Sequence, residues 1–122
     1  MPRPRCALVA LAVGGLLSAG CATTVSVPAA GTLRLAVTEY RLTPQSVRTV
    51  AGPLTIFVHN YGRLSHNLVI SQDGVAEAQT TPIAPGQGTE LFATLAPGRY
   101  LLASTILSDQ ALGAYGTLTV TR

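Results

Sequence analysis

The side chains able to do chemistry are few and unevenly spread. The chain of 122 residues has two cysteines and two histidines. Both cysteines, Cys6 and Cys21, lie at the N-terminal end, and both histidines, His59 and His66, lie mid-chain. Thiolate and imidazole are the usual ligands of zinc and copper, and a metal centre normally takes three or four such groups. Two imidazoles without a thiol in their region fall short of that count. His59 and His66 therefore read either as partial ligands or as histidines satisfied by hydrogen bonds.

The position of Cys21 carries its own meaning. Arg3 and Arg5 give the N-terminus a positive start, and an apolar run follows from Cys6 to Leu17. That run is shorter than the ~20 apolar residues of a membrane span. Small residues, Ser18-Ala19-Gly20, then lead to Cys21, as a cleavage site requires. The segment Leu16-Leu17-Ser18-Ala19-Gly20-Cys21 resembles a bacterial lipobox, with its leucine one step further back than usual. The resemblance implies removal of residues 1–20, a diacylglyceride on the Cys21 sulfur, and often a further acyl chain such as palmitate on its amine. Each buried methylene contributes about 0.8 kcal/mol, so two or three chains hold where one would not. Residues 21–31 read as the acylated end and an uncharged tether, and residues 32–122 as the folded domain. The location this implies is the outer face of a bacterial membrane, in the periplasm or at the cell surface.

Charge excludes one class of partner. The formal charge of +3 includes Arg3 and Arg5. Without residues 1–20 there remain six arginines against five acids, with no lysine and no arginine cluster. Nucleic-acid binding rests on phosphate neutralisation, which this distribution does not supply. With both cysteines confined to the leader and its junction, the domain must stand on packing and hydrogen bonds.

Alternation of apolar and polar residues dominates the domain, and helical periodicity is nearly absent. Strands are expected over residues 33–39, 46–50, 54–60, 66–71, 89–95, 99–104 and 116–121. Leu54, Ile56 and Val58 form the core face of one strand, with Thr55, Phe57 and His59 on the other. Residues 40–44 read as a bend and 61–64 as a loop. Residues 72–87 read as irregular, with one short helical turn near residues 75–78, and 105–115 as a loop. Ala96-Pro97-Gly98 has the chemistry of a tight turn. Short strands punctuated by Gly and Pro predict an all-β, two-sheet antiparallel Greek-key sandwich.

Two segments carry a family resemblance. The first is Phe57-Val58-His59-Asn60-Tyr61-Gly62-Arg63-Leu64-Ser65-His66-Asn67-Leu68-Val69-Ile70. It is similar to the cupredoxin pattern of a strand, an Asn-x-Gly loop, and His-Asn opening the next strand. The second is Gly98-Arg99-Tyr100-Leu101-Leu102-Ala103-Ser104 with Gly116-Thr117-Leu118-Thr119-Val120. It resembles the strand that leads into the Cys…His…Met ligand loop of blue copper proteins, and the strand after it. The resemblance makes His66 a remnant of the first copper ligand and Asn67 the tie between the ligand loops. It places the cysteine position on Ser104, the second histidine on Asp109 and the methionine on Ala114.

A blue-copper centre uses two imidazoles and a thiolate with a weak axial thioether. Of those, only His66 is present, so no cofactor is expected. The resemblance implies that Asp109 faces His66, and a hydrogen bond between them would stand in for the metal and raise the histidine pKa. The leading expectation is a non-enzymatic, metal-free, lipid-anchored binding or structural module. The alternative is a copper-binding protein, for copper handling or electron transfer, that uses His66 with His59 or Asp109. A hydrolase built on Ser104, His66 and Asp109 has the residue types of a triad, but triads are recognised by geometry, and no Gly-x-Ser-x-Gly elbow is present. Tyr61, Leu64, Leu112 and Tyr115 flank the loop end and form the expected contact surface for a protein partner. Tyr100 is expected to be buried with its hydroxyl bonded.

Overall fold

A computed structural model describes residues 23–122. Cys6, the leader and the expected lipidation site Cys21 lie outside the described residues. Ten strands and one short helix follow in order: β1 (Val25–Val27), β2 (Thr32–Thr38), β3 (Arg41–Thr43), β4 (Ser46–Val50), β5 (Gly52–Asn60), β6 (Val69–Gln72), β7 (Val75–Gln79), β8 (Gly88–Leu95), β9 (Gly98–Ala103), α1 (Asp109–Leu112) and β10 (Tyr115–Thr121). They form two sheets, ordered β1-β4-β10-β9-β6-β7 and β3-β2-β5-β8. The all-β sandwich is the predicted one. Among the described residues, no helix is long and apolar enough to cross a membrane.

The alternation does what period-two patterning dictates. Leu33, Leu35 and Val37 of β2 and Leu54, Ile56 and Val58 of β5 all point inward and are buried. Leu102 of β9, Leu118 and Val120 of β10 and Ile70 of β6 meet them from the facing sheet. Tyr100 is buried in this core, and its hydroxyl donates to the Ala96 carbonyl at 2.7 Å, which closes the Pro97-Gly98 turn.

Pairing direction departs from the antiparallel expectation. β2 runs parallel to β5, and β4 runs parallel to both β1 and β10, so both sheets are mixed. Alternation places side chains on faces but is the same for either direction, so the sequence could not distinguish them.

Several local expectations also change. The helical turn near residues 75–78 is instead the edge strand β7, paired with β6 through a register irregularity. The bend at 40–44 contains β3, and the loop at 105–115 contains α1. The return strand begins at Val69, and His66 makes only an isolated bridge with Ile83. The sandwich also starts before residue 32. Val25–Val27 pairs with β4, Val27 is buried, and Thr49 Oγ1 donates to the Val27 carbonyl at 3.2 Å. The tether expected over 21–31 is therefore partly strand.

Candidate functional site

The polar cluster at one end of the sandwich is set by the parallel pairing of β2 with β5. Val37 stands opposite Asn60, and the Tyr61 N–H donates to the Val37 carbonyl at 2.9 Å. Continuing past β2, Glu39 lies beside the loop that follows β5. Its carboxylate accepts the N–H of Arg63 at 2.8 and 2.9 Å and that of Leu64 at 3.2 Å. Asn60, fully buried, shapes the same loop from inside. Its side-chain oxygen accepts the Gly62 N–H, an Asx-turn, and its amide donates to the carbonyls of Leu64 and Ile83, all at 2.8 Å. Glycine at residue 62 leaves room for the Glu39 carboxylate, which a Cβ there would displace.

His66 sits at the centre, with none of its side chain exposed. Its backbone is pinned to Ile83 by two hydrogen bonds, of 3.2 and 2.7 Å. Its ring is held from both sides: Nε2 lies 2.8 Å from Glu39 Oε2, and Nδ1 lies 2.6 Å from Asp109 Oδ2. A carboxylate only accepts, so both ring nitrogens can donate together only as the imidazolium. Burial disfavours that charge, but the bonds to Glu39 and Asp109 outweigh it and raise the His66 pKa above its ordinary value. Glu39 is lowered below its ordinary value, first by the Arg63 N–H and then by His66.

Asp109 arrives from the opposite loop. It opens α1, where its carbonyl accepts the Ala114 N–H at 2.9 Å and its side chain turns inward. The helix stops at Gly113, whose φ of 129° and close approach to the Tyr40 carbonyl leave no room for a Cβ. Asp109 Oδ2 also accepts the Ser104 hydroxyl at 2.7 Å. Ser104 Oγ in turn accepts the Asn67 N–H at 3.2 Å, and Asn67 Oδ1 accepts the Thr105 N–H at 2.7 Å. A chain of bonds thus runs Asn67–Ser104–Asp109–His66–Glu39. Among the described residues, no buried side-chain polar atom lacks a partner.

The structure therefore brings His66, Asn67, Ser104 and Asp109 together. Ala114 is fully buried beside them, its carbonyl accepting the Ser104 N–H at 3.0 Å. His59 is not part of the cluster. It lies on the outer face of β5, its ring 4.2 Å from that of Tyr61, and no hydrogen bond joins it to His66. Tyr61, Leu64, Leu112 and Tyr115 are all exposed, at 67%, 53%, 56% and 47%. The triad reading fails on order: Ser104 donates to Asp109 and not to His66, and its side chain is buried away from any substrate.

Glu39 and Asn60 are the site residues that the sequence reading did not assign. For Asn60 a signal existed, since Asn-x-Gly after a strand marks an Asx-turn. For Glu39 none did, because its place depends on the parallel register of β2.

No protein-family model matches the chain, and no curated protein matches it by sequence. Solved structures do match. Reduced auracyanin from Roseiflexus castenholzii superposes with a TM-score of 0.68 at 21% identity, over 75% of this chain and 97% of that one. The azurin Az-iso2 from Methylomonas sp. strain J gives 0.66 at 13% identity, over 75% and 98%. Auracyanin A, a blue copper protein from Chloroflexus aurantiacus, gives 0.63 at 17% identity, over 75% and 100%.

Such a fold implies copper, but the donor set here does not fit a blue-copper centre. Residues 23–122 contain no thiol. Both nitrogens of the single imidazole in the cluster are engaged by carboxylates, and the hydroxyl at 104 is spent on Asp109. Imidazole, carboxylate and hydroxyl lack the soft thiolate such a centre needs. Among the described residues, no group of three or more His, Cys, Asp and Glu is placed to hold a metal ion. The fold of residues 23–122 is thus the cupredoxin-like sandwich that the auracyanins and azurin share.

Proposed function

We propose that this protein is an exported lipoprotein, anchored through acylated Cys21, whose cupredoxin-like domain serves as a metal-free, non-enzymatic binding module. One observation carries the reading. Both ring nitrogens of His66 are bonded to carboxylates, at 2.6 and 2.8 Å, so a proton-bearing cluster joins the loops where a metal would otherwise do so. Partner binding would fall to the exposed apolar side chains around that end, Tyr61, Leu64, Leu112 and Tyr115. Aromatic and aliphatic groups held on braced loops suit a protein contact, because little ordering entropy is lost on docking.

The test is Cu(II) titration of the soluble domain, followed by calorimetry and visible absorption. No uptake in the submicromolar range and no visible band are expected. An intense blue colour, or tight uptake abolished by His66→Ala, would overturn the metal-free reading in favour of copper handling. The anchor is tested separately: Cys21→Ser should release the protein from the membrane fraction and abolish labelling by radioactive palmitate.

A further inference from the structure

Among the described residues the sandwich has four edge strands, and three of them are blunted against pairing with another chain. β1 has three residues and is followed by Pro28. β3 also has three, begins with Arg41 and is followed by Pro44. β7 carries Glu77 and is distorted by its register irregularity against β6. Short edges, prolines, charges and bulges are the usual protections. β8 has none of them except a single charge, Glu90. It is eight residues long, contains no proline, and keeps unbroken register with β5 from Leu95 opposite Gly52 to Gly88 opposite His59. Among the described residues, β8 pairs with β5 alone, which leaves the backbone groups of its other side unpaired. Phe92, at its middle, is 69% exposed.

We propose that β8 is a dimerisation edge, where a second copy of this chain adds its own β8 antiparallel to join the two β3-β2-β5-β8 sheets into one. The strand is complementary to itself. With Phe92 opposite Phe92 on the two-fold axis, Glu90 falls opposite Thr94, and Leu91 falls opposite Ala93 on the inner face. An aromatic pair forms at the centre and no like charges meet. Centring the axis on Glu90 instead would set the two carboxylates against each other, which is destabilising. Of these two registers the sequence favours the one centred on Phe92, in which the strand supplies its own complement.

The test uses the full chain in detergent. Phe92→Cys places two thiols directly opposite, within the Cα separation a disulfide spans. Thr94→Cys places them about 13 Å apart, which is out of reach. After diamide, non-reducing electrophoresis should show a cross-linked dimer for Phe92→Cys in excess of that for Thr94→Cys. The unmodified chain reports any linkage through Cys6 or Cys21. Light scattering should show a protein mass that doubles with concentration and stays monomeric in Phe92→Lys, an exposed change that leaves the core intact. A protein monomeric throughout would overturn the proposal. So would a dimer that survives Phe92→Lys, or one that cross-links equally through Thr94→Cys.

Discussion

In the middle of the sandwich, Ile56, Leu102 and Leu118 are buried among aliphatic neighbours that ask only for shape and volume. At the loop end, His66 is equally buried, yet each of its ring nitrogens has one named partner. The two regions resist water by different means. Dispersion and hydrophobic burial are non-directional and tolerate volume-conserving change. A buried ionic cluster is directional, and removing any member leaves another uncompensated. The body of the fold should therefore accept drift in sequence, while the loop end should not.

That contrast can be broken from either side. His66→Ala should have the largest effect, because it leaves the Asp109 carboxylate buried without its cation. A loss of about 3–5 kcal/mol is expected, measured by denaturant unfolding in weak acid. Ile56→Ala should cost about 2–5 kcal/mol through lost burial and the cavity left behind. Its cost should be the same in acid and alkali, whereas that of His66→Ala should shrink once the wild-type imidazole has lost its proton. Ser104→Ala should cost about 1–3 kcal/mol, since Asp109 loses a donor and the half-buried Asn67 N–H loses its acceptor.

Acidity sharpens the comparison further. The folded protein holds the His66 proton more tightly than the unfolded chain does. Its contribution is complete below the ordinary value of 6.5 and is lost as pH rises through the raised folded midpoint. Glu39 works in the other direction. Its contribution is complete above the ordinary value of 4.5 and is lost as pH falls through the lowered folded midpoint. Stability should therefore be greatest between 4.5 and 6.5 and fall on both sides. Unfolding midpoints measured across pH check this, and Glu39→Gln should remove its share of the acid limb. The smallest effect is spectroscopic: Asp109→Asn should lower the His66 midpoint in an NMR titration, and an unchanged midpoint would show that the carboxylate does not sense the imidazolium.

The sandwich was legible because alternation is a local property. Leu54, Ile56 and Val58 announce an inward face before any partner strand is known. The strand β7 was not legible, because Val75 to Gln79 is largely exposed and becomes extended only by pairing with β6. At the site, His66, Asn67, Ser104 and Asp109 could be named from their places in a familiar frame. Glu39 could not, although it holds His66 as directly as Asp109 does. Its neighbours in sequence are strand and turn, and its neighbours in space come from a loop more than twenty residues away.

Which faces are apolar, where the Pro97-Gly98 turn falls, and the lack of a thiol in residues 23–122 for a copper–sulfur bond could all be read from the chain. Those are matters of residue type and period. The direction in which strands pair, and the arrival of Glu39 and Asp109 on opposite sides of one imidazole, came from the folded arrangement. A hydrogen bond needs two groups within about 3 Å and aligned, and positions that distant along a chain are brought so close only by the fold.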